Sequence, residues 1–462
     1  MLSGPFIRKG RAGILRQSGY DGPGLIWERL MRRLSARDRL ETCLEKIADP
    51  DGEGARTFLK LYGDSARAAA DAADARARLG LAFGPLDGRI VSIKDLFDWP
   101  GEPTLAGSKI HRDALSARTM APAIARLARA GAVIIGKTNM TEFAFSGIGH
   151  NPHYGTPGNP ADRARIPGGS SSGAAVSVAD QMAEIAIGTD TGGSTRIPAA
   201  LCGVVGFKPS QQRISREGAF PLSFTLDSIG PIARDVASCA LADTVMAGAP
   251  LELPEAESLG ALRLGVARGP LLDSLDPIVG RAFEVACASL SVAGAQVRDH
   301  DVTSLIQAMQ TANRTGGFAV AEAYMIHRSY FESRAADFDP FVHQRIGQGR
   351  NMSAADYVLL QRQRVELVRQ MDRDLEDIDA LLLPTTAIAA PKLADLAQPA
   401  AFAQANTLLL RNTSAFNFFD CCAISLPMPG SDLPSGMMLV ARNGQDQRLF
   451  RIALAVEALW RR

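Results

Sequence analysis

A chain of 462 residues with 46% apolar and 21% charged residues has the composition of a folded globular protein with a large core, which excludes a disordered or fibrous chain. Fifty Lys plus Arg oppose forty-nine Asp plus Glu, a formal net charge of +1, so no overall field draws in nucleic acid or an anionic membrane, and neither is expected as a partner. Six cysteines without C-x-x-C spacing point to a reducing, cytoplasmic setting.

The first residues, MLSGPFIRKGRAGILRQSGYDGPG, lack the apolar stretch of a secretory signal, and no later run approaches the roughly 18 apolar residues of a spanning helix. From Leu25 to about Gly80, apolar residues recur every three or four positions, which predicts a helical layer that includes TFLKLYGDSARAAADAADARARLG. Asp71 and Asp74 interleave with Arg67, Arg76 and Arg78, the mixture of a solvated helix face.

Short apolar runs follow, RIVSIKD, GAVIIGKTN and AEIAIGTDTGG, alternating with helical stretches such as MAPAIARLARA and GAAVSVADQM. Strands alternating with helices predict an α/β sheet. ALRLGVARG from Ala261 is a further strand candidate, Pro277 to Ala293 is helical, 301–377 is mostly helical, and DALLLPTTAIAAP from Asp379 reads as a buried strand. No low-complexity linker or internal repeat divides the chain, so a single domain is expected over 1–462. Its parts are a helical layer (about 25–80), a core (about 80–240), a variable, substrate-lining insertion (about 260–377) and a return to the core (about 378–462).

Chemistry concentrates between Pro167 and Pro198, PGGSSSGAAVSVADQMAEIAIGTDTGGSTRIP, where two Gly/Ser clusters bracket a helix and a strand. Glycine-rich backbone can converge its N–H groups on an anion. The phosphate-loop patterns G-x-x-x-x-G-K-[ST] and G-x-G-x-x-G are absent, so an oxyanion site with serine nucleophiles fits better than a nucleotide site. A histidine base is hard to find. His111, His300, His327 and His343 lie in no motif, His150 and His153 sit in the turn-like GHNPHYG, and no G-x-S-x-G surrounds Ser170 or Ser194. H-E-x-x-H and Cys/His ligand spacing are missing too, so no metal and no cofactor is expected. A buried lysine with a depressed pKa can also accept a serine proton. Lys94 and Lys137 both end apolar strand candidates, and burial alone does not separate them.

These segments resemble the amidase signature family. GGSSSG from Gly168 and GTDTGGSTR from Gly188 match its Gly/Ser core, and GRIVSIKDLFD from Gly88 matches its lysine segment. LAGS, GKTNMTEFAFS, NPHYGTPGNP, GVVGFKPS, DALLLPTT and RNTSAFNFFDCCAISLPMP then follow in family order, so the likeness covers nearly everything beyond Leu79. The resemblance implies an α/β fold with a central mixed, twisted sheet covered by helices on both faces. It also implies a triad with Ser194 as nucleophile, Ser170 after a cis Gly169–Ser170 bond as bridging serine, and Lys94, rather than Lys137, as base. The N–H groups of Thr191, Gly192, Gly193 and Ser194 would form the oxyanion hole, with Gly169, Ser171, Asp190 and Arg196 supporting the loops.

The chain departs from the family pattern at Ile90, where a proline is usual, and at Arg89, which brings a charge to the strand entry, near the site; Ala174 and Ala175 are milder changes. The expected function is hydrolysis of C–N bonds in small non-peptide amides, extending to aryl amides, esters and carbamates, on a small-molecule substrate, with a homodimer left open. The alternative is the A subunit of a glutamyl-tRNA(Gln) amidotransferase or of another multi-subunit amidase. Ile197 leans away from the former, where a glutamine is common, while LFDWPGEPTLAGSKI resembles a carboxylated-biuret hydrolase subunit. Intact Lys94, Ser170 and Ser194 argue against a catalytically silent binding protein. Phe318, Tyr324, Met325, Tyr330, Phe331 and Phe338 are candidates for lining a pocket, although such residues more often form core.

Overall fold

The computed structural model describes residues 34–252 and 254–461. The N-terminal stretch read as lacking a secretory signal, and the start of the helical layer at 25–33, lie outside the described residues. Eleven strands form one mixed sheet: β1 (Phe58–Leu61), β2 (Ile90–Lys94), β3 (Val133–Thr138), β4 (Ile185–Asp190), β5 (Val205–Lys208), β6 (Ser228–Ala233), β7 (Arg263–Arg268), β8 (Gln296–Asp301), β9 (Ala380–Pro384), β10 (Cys422–Pro427) and β11 (Gly436–Ala441). Their order is β1-β3-β2-β4-β6-β5-β10-β11-β9-β7-β8. β2 runs parallel to β3 and β4, β7 runs parallel to β8 and β9, and the remaining pairs are antiparallel.

Alternation along the strands explains why helices cover both faces. In β2 and β3, Ile90, Val133 and Ile135 pack under the helices Ala36–Ala48 and Gly63–Arg78, while Val91, Ile93 and Ile134 join the opposite core with the helices Pro122–Arg129 and Val236–Ala247. Farther along, Leu381, Leu383, Met438 and Val440 divide in the same way from Leu382, Met437 and Leu439. Strands buried on both faces read as continuous apolar runs, which is why β2, β3, β4 and β9 are visible in the sequence. No helix of the described residues is long and apolar enough to cross a membrane.

A bulge decides between the two strand-end lysines. Val91 pairs with Ile134 but Ser92 pairs with Gly136, so Ile135 is the extra residue. One inserted residue swaps the faces of everything beyond it, and Lys137, opposite Ile93, leaves the face that Lys94 shares with Ser92. Lys137 instead points its buried Nζ at Glu102, 3.1 Å away.

One expectation needs correction. Thr57 to Gly80 is not continuously helical: Phe58–Leu61 is an edge strand antiparallel to β3, because Phe58 is buried while Lys60 and Leu61 lie on the outer side. The strand read from Ala261 and the helix read from Pro277 are present as β7 and Pro277–Val292, and with β8 they form a parallel crossover unit that extends the sheet. The polar text of β8, QVRDHD, belongs to an edge strand that buries little and so carries no apolar signal. Arg89 lies at the entry of β2, the opposite end from Lys94, and donates to Ser238 Oγ at 2.9 Å, so its charge stands away from the site.

Gly136 is required where β1 crosses β3, since a Cβ there would lie 2.3 Å from the carbonyl oxygen of Lys60. Gly136→Ala is expected to destabilise the fold by about 1–3 kcal/mol in urea unfolding. Gly260→Ala, in open space, is expected to stay within about 0.5 kcal/mol of the parent.

Candidate functional site

The site forms where β2 and β4 end side by side. Lys94, the last residue of β2, is fully buried and donates from Nζ to Ser170 Oγ at 2.7 Å and to Thr189 Oγ1 at 2.9 Å. Burial lowers the Lys94 ammonium to about 7, against the opposing pull of Asp227 and Asp190. An amine poised near neutrality can both donate and accept a proton.

Ser170 follows a cis Gly169–Ser170 bond and precedes the helix Ser172–Ala179. Its loop is held by backbone bonds from Thr141 N to Ser170 O at 3.0 Å and from Gly169 N to Gly147 O at 2.8 Å. Ser171 N donates to Ser194 O at 3.3 Å, which ties the two Gly/Ser loops together. No hydrogen bond joins Ser170 Oγ to Ser194 Oγ. The structure therefore brings Lys94 and Ser170 into direct contact, with Ser194 on the neighbouring loop.

That second loop, 191–195, is organised by Asp190. Its Oδ1 accepts from Gly193 N, Arg196 Nη2 and Asn417 Nδ2, each at 2.8 Å, and its Oδ2 accepts from Thr195 Oγ1 at 2.9 Å and Arg196 Nε at 3.0 Å. Burial opposes its charge, but Arg196, Asn417 and Lys208 outweigh that and hold it well below the usual carboxylate range. Arg196, also fully buried, completes its bonds with Asn417 Oδ1 at 2.6 Å and Thr413 O at 3.1 Å. Gly193 has φ 135°, and a Cβ there would lie 2.2 Å from Thr413 Oγ1, so only glycine lets the chain turn against the helix Pro399–Phe418.

This geometry corrects one expected oxyanion donor. The Gly193 N–H is turned back onto Asp190 to close the turn, which leaves the N–H groups of Thr191, Gly192 and Ser194 without a partner among the described residues. Thr191 is fixed by its hydroxyl, which donates to Asp227 Oδ1 at 2.6 Å.

Thr191, Gly192 and Ser194 line a cavity of about 400 Å³, with Phe145, Phe318 and Leu410 among its apolar walls. Arg345 is its charged lining residue. The guanidinium donates from Nη1 to Phe145 O at 3.1 Å and lies 4.4 Å from the Phe145 ring centroid, with no carboxylate paired to it among the described residues. Burial lowers it to about 10, still charged at neutral pH.

With that geometry in hand, comparison with known proteins is decisive. A family model described as Amidase matches residues 38–450. The chain belongs to the amidase family. It is 37% identical to the 2-amino-5-chloromuconic acid deaminase of Comamonas testosteroni, over 93% of this chain and 94% of that protein. It is 36% identical to the 1-carboxybiuret hydrolase subunit AtzE of Pseudomonas sp. (strain ADP), over 78% of this chain and 80% of that one. A solved structure from work on a vestigial protein complex and the origins of an s-triazine catabolic enzyme superposes with a TM-score of 0.82 at 31% identity, covering 94% of this chain and 97% of that one. The fold is thus the amidase-signature α/β fold, and the chain is an amidase-family hydrolase acting on C–N bonds.

Other sequence candidates are placed elsewhere in this amidase. His153 Nε2 lies 2.8 Å from Glu142 Oε1 and His150 Nδ1 lies 3.0 Å from Thr156 Oγ1, both in a turn outside the cavity wall. Of the six apolar candidates only Phe318 lines the cavity. Phe331 and Phe338 are buried in the main core, Tyr324 and Tyr330 pack against it, and Met325 is exposed. Sequence reasoning missed Thr189, Asp227, Asn417 and Arg345 as site residues. Asn417 lay within the matched segment RNTSAFNFFD, whereas a lone arginine in FVHQRIG carries no signal.

Removing one partner of a buried ion pair leaves the other charge uncompensated. Asp190→Ala is expected to cost about 3–5 kcal/mol in denaturant unfolding, whereas Ser194→Ala, whose Oγ makes no such bonds, is expected to stay near the parent.

Proposed function

We propose that this chain hydrolyses small non-peptide amides that carry a carboxylate, through an acyl-enzyme on Ser194. The observation that carries the reading is the fully buried Lys94 Nζ, 2.7 Å from Ser170 Oγ, on a loop bonded to the Ser194 loop beside the cavity. Neutral Lys94 takes the Ser170 proton as Ser170 takes that of Ser194, whose Oγ forms a bond to the substrate carbonyl carbon. The N–H groups of Thr191, Gly192 and Ser194 stabilise the oxyanion. Collapse breaks the C–N bond while the relay delivers the proton to the leaving nitrogen. Water, deprotonated along the same relay, then attacks the acyl carbon, releasing the acid and restoring Ser194. Aryl amides, esters and carbamates suit the same acyl-enzyme route with different leaving groups.

The carboxylate follows from Arg345. A half-buried guanidinium with unused donors, the charged group among the described residues that line the cavity, matches a planar anion. The names of two relatives, 2-amino-5-chloromuconic acid deaminase and 1-carboxybiuret hydrolase subunit, both describe carboxylated substrates, which supports the same class. A second reading, a subunit that needs a partner chain, is favoured by the second relative being a subunit.

The test is amine or ammonia release by the purified chain alone from mono-amides of dicarboxylic acids, neutral aryl amides, aryl carbamates and glutamine, with Ser194→Ala as control. Turnover of a carboxylated amide that Ser194→Ala abolishes supports the first reading. Absence of turnover until a copurifying partner is added supports the second. In Arg345→Gln the ratio of KM for a carboxylated amide to KM for a neutral one is expected to rise about tenfold to a hundredfold, the worth of a charge-assisted hydrogen bond.

The base must be uncharged to act. Activity as kcat/KM is therefore expected to fall on the acid side of about pH 7, as Lys94 gains a proton, and to level off above it. A profile flat down to about pH 5 would remove Lys94 from the role of base.

A further inference from the structure

Asp227 stands just before β6, one residue ahead of the Ser228–Asp190 pair of the antiparallel β4–β6 ladder, which sets it opposite Thr191. Its two carboxylate oxygens are divided between tasks. Oδ1 accepts the Thr191 hydroxyl at 2.6 Å, while Oδ2 accepts Leu222 N at 2.9 Å and Ser223 N at 3.1 Å, closing the turn that supplies Leu222 and Leu226 to the cavity wall. Among the described residues, no lysine or arginine forms an ion pair with it. Asp227 thus stands at the end of β4, the strand beside β2, and its charge favours the ammonium form of Lys94.

The same turn is gripped from the other side. Glu322, on the helix Gly317–His327, accepts hydrogen bonds from Ser223 Oγ, Thr225 N, Thr225 Oγ1 and Tyr357 Oη. The start of that helix, Gly317 to Val320, lines the cavity. A continuous set of bonds thus runs from the cavity wall through Glu322, the 222–227 turn and Asp227 to Thr191.

We propose that Asp227 is a positioning residue for the proposed reaction, holding Thr191 so that its N–H stays directed at the oxyanion and supplying the negative charge that acts on Lys94. This rests on the reading of Lys94 as base. The arrangement lets one carboxylate serve both ends of the proton path, since the residue that fixes the oxyanion donor also sets how readily the base releases its proton. The charged groups around it are Lys94 on β2, Asp190 on β4 with Arg196 and Lys208 behind it, Arg216 on the preceding loop, and Glu322 across the turn. Burial raises the Asp227 carboxyl to about 6, with the Thr191 bond opposing.

The test is the pH profile of kcat/KM, with kcat and KM measured separately, for the full-length chain and three variants. Asp227→Asn keeps an oxygen for the Thr191 hydroxyl but removes the charge. An anion raises the pKa of a nearby ammonium, so its loss is expected to move the acid limb to lower pH by about half a unit or more. Thr191→Val removes the hydroxyl and leaves the charge. It is expected to lower kcat about tenfold with the acid limb in place, and Thr191→Ser, which restores the hydroxyl, is expected to recover most of that loss.

An acid limb that stays fixed in Asp227→Asn, or an equal fall in kcat with unchanged profile for all three variants, overturns the proposal. Should Asp227→Asn fail to fold, the Val and Ser variants decide the Thr191 half, and full activity in Thr191→Val overturns it. Lys94→Met separates the two levels of inference. Activity retained there defeats the base reading itself, whereas activity lost there, together with a fixed limb in Asp227→Asn, defeats only the role given to Asp227.

Discussion

Taking an ammonium group out of water costs several kcal/mol unless a counter-charge meets it or the proton leaves, and at the end of β2 hydroxyl groups, not carboxylates, lie within bonding distance of Lys94. Burial disfavours the charged state of the amine, and that same condition suits it to the base role proposed for it. Much of the surrounding structure serves the condition. The sheet buries β2 on both faces, the bulge at Ile135 carries the competing Lys137 to the other side, and Asp227 and Asp190 keep the shift from going further.

The second requirement is a rigid turn beside the buried amine. Asp190 and Arg196 satisfy one another and draw Asn417 and Thr413 into the same set of bonds, so a helix from the far end of the sequence, Pro399–Phe418, braces the 191–195 turn. Such a pair is weak as a source of net stability because both charges are desolvated. Its value is geometric. It fixes which N–H groups point outward, turning that of Gly193 inward and leaving those of Thr191, Gly192 and Ser194 on the cavity side.

How much of this was legible in the sequence follows from the kind of signal each feature leaves. Strands buried on both faces announce themselves as apolar runs, and the Gly/Ser loops, together with the matched segments, marked Lys94, Ser170, Ser194, Asp190 and Arg196. β8 was silent because an exposed edge strand has no apolar side to show, and β1 was masked by the strong helical periodicity that follows it. The choice between Lys94 and Lys137 was invisible to local pattern, since a one-residue bulge in β3 decides it. Arg345, Thr189 and Asp227 were missed because their meaning depends on neighbours distant in sequence, such as Phe145 across 200 residues for Arg345.

In the proposed reaction, the chemistry and the selection of substrate fall to different parts of the chain. Lys94 ends β2, and Ser170 and Ser194 sit on loops beside the central strands, where the ladder and the Asp190 cluster hold them. The opposite wall comes largely from the helices Thr303–Ala312, Gly317–His327 and Pro340–Gly347, which contribute Met309, Phe318 and Arg345. A change of wall residue can therefore alter which amide fits without disturbing the buried amine. The two parts are nevertheless not independent, because Glu322 ties that wall to the 222–227 turn, and Asp227 ties the turn to Thr191. In the proposed reaction, a substrate packed against the helical wall would therefore bear on the same bonds that hold Thr191.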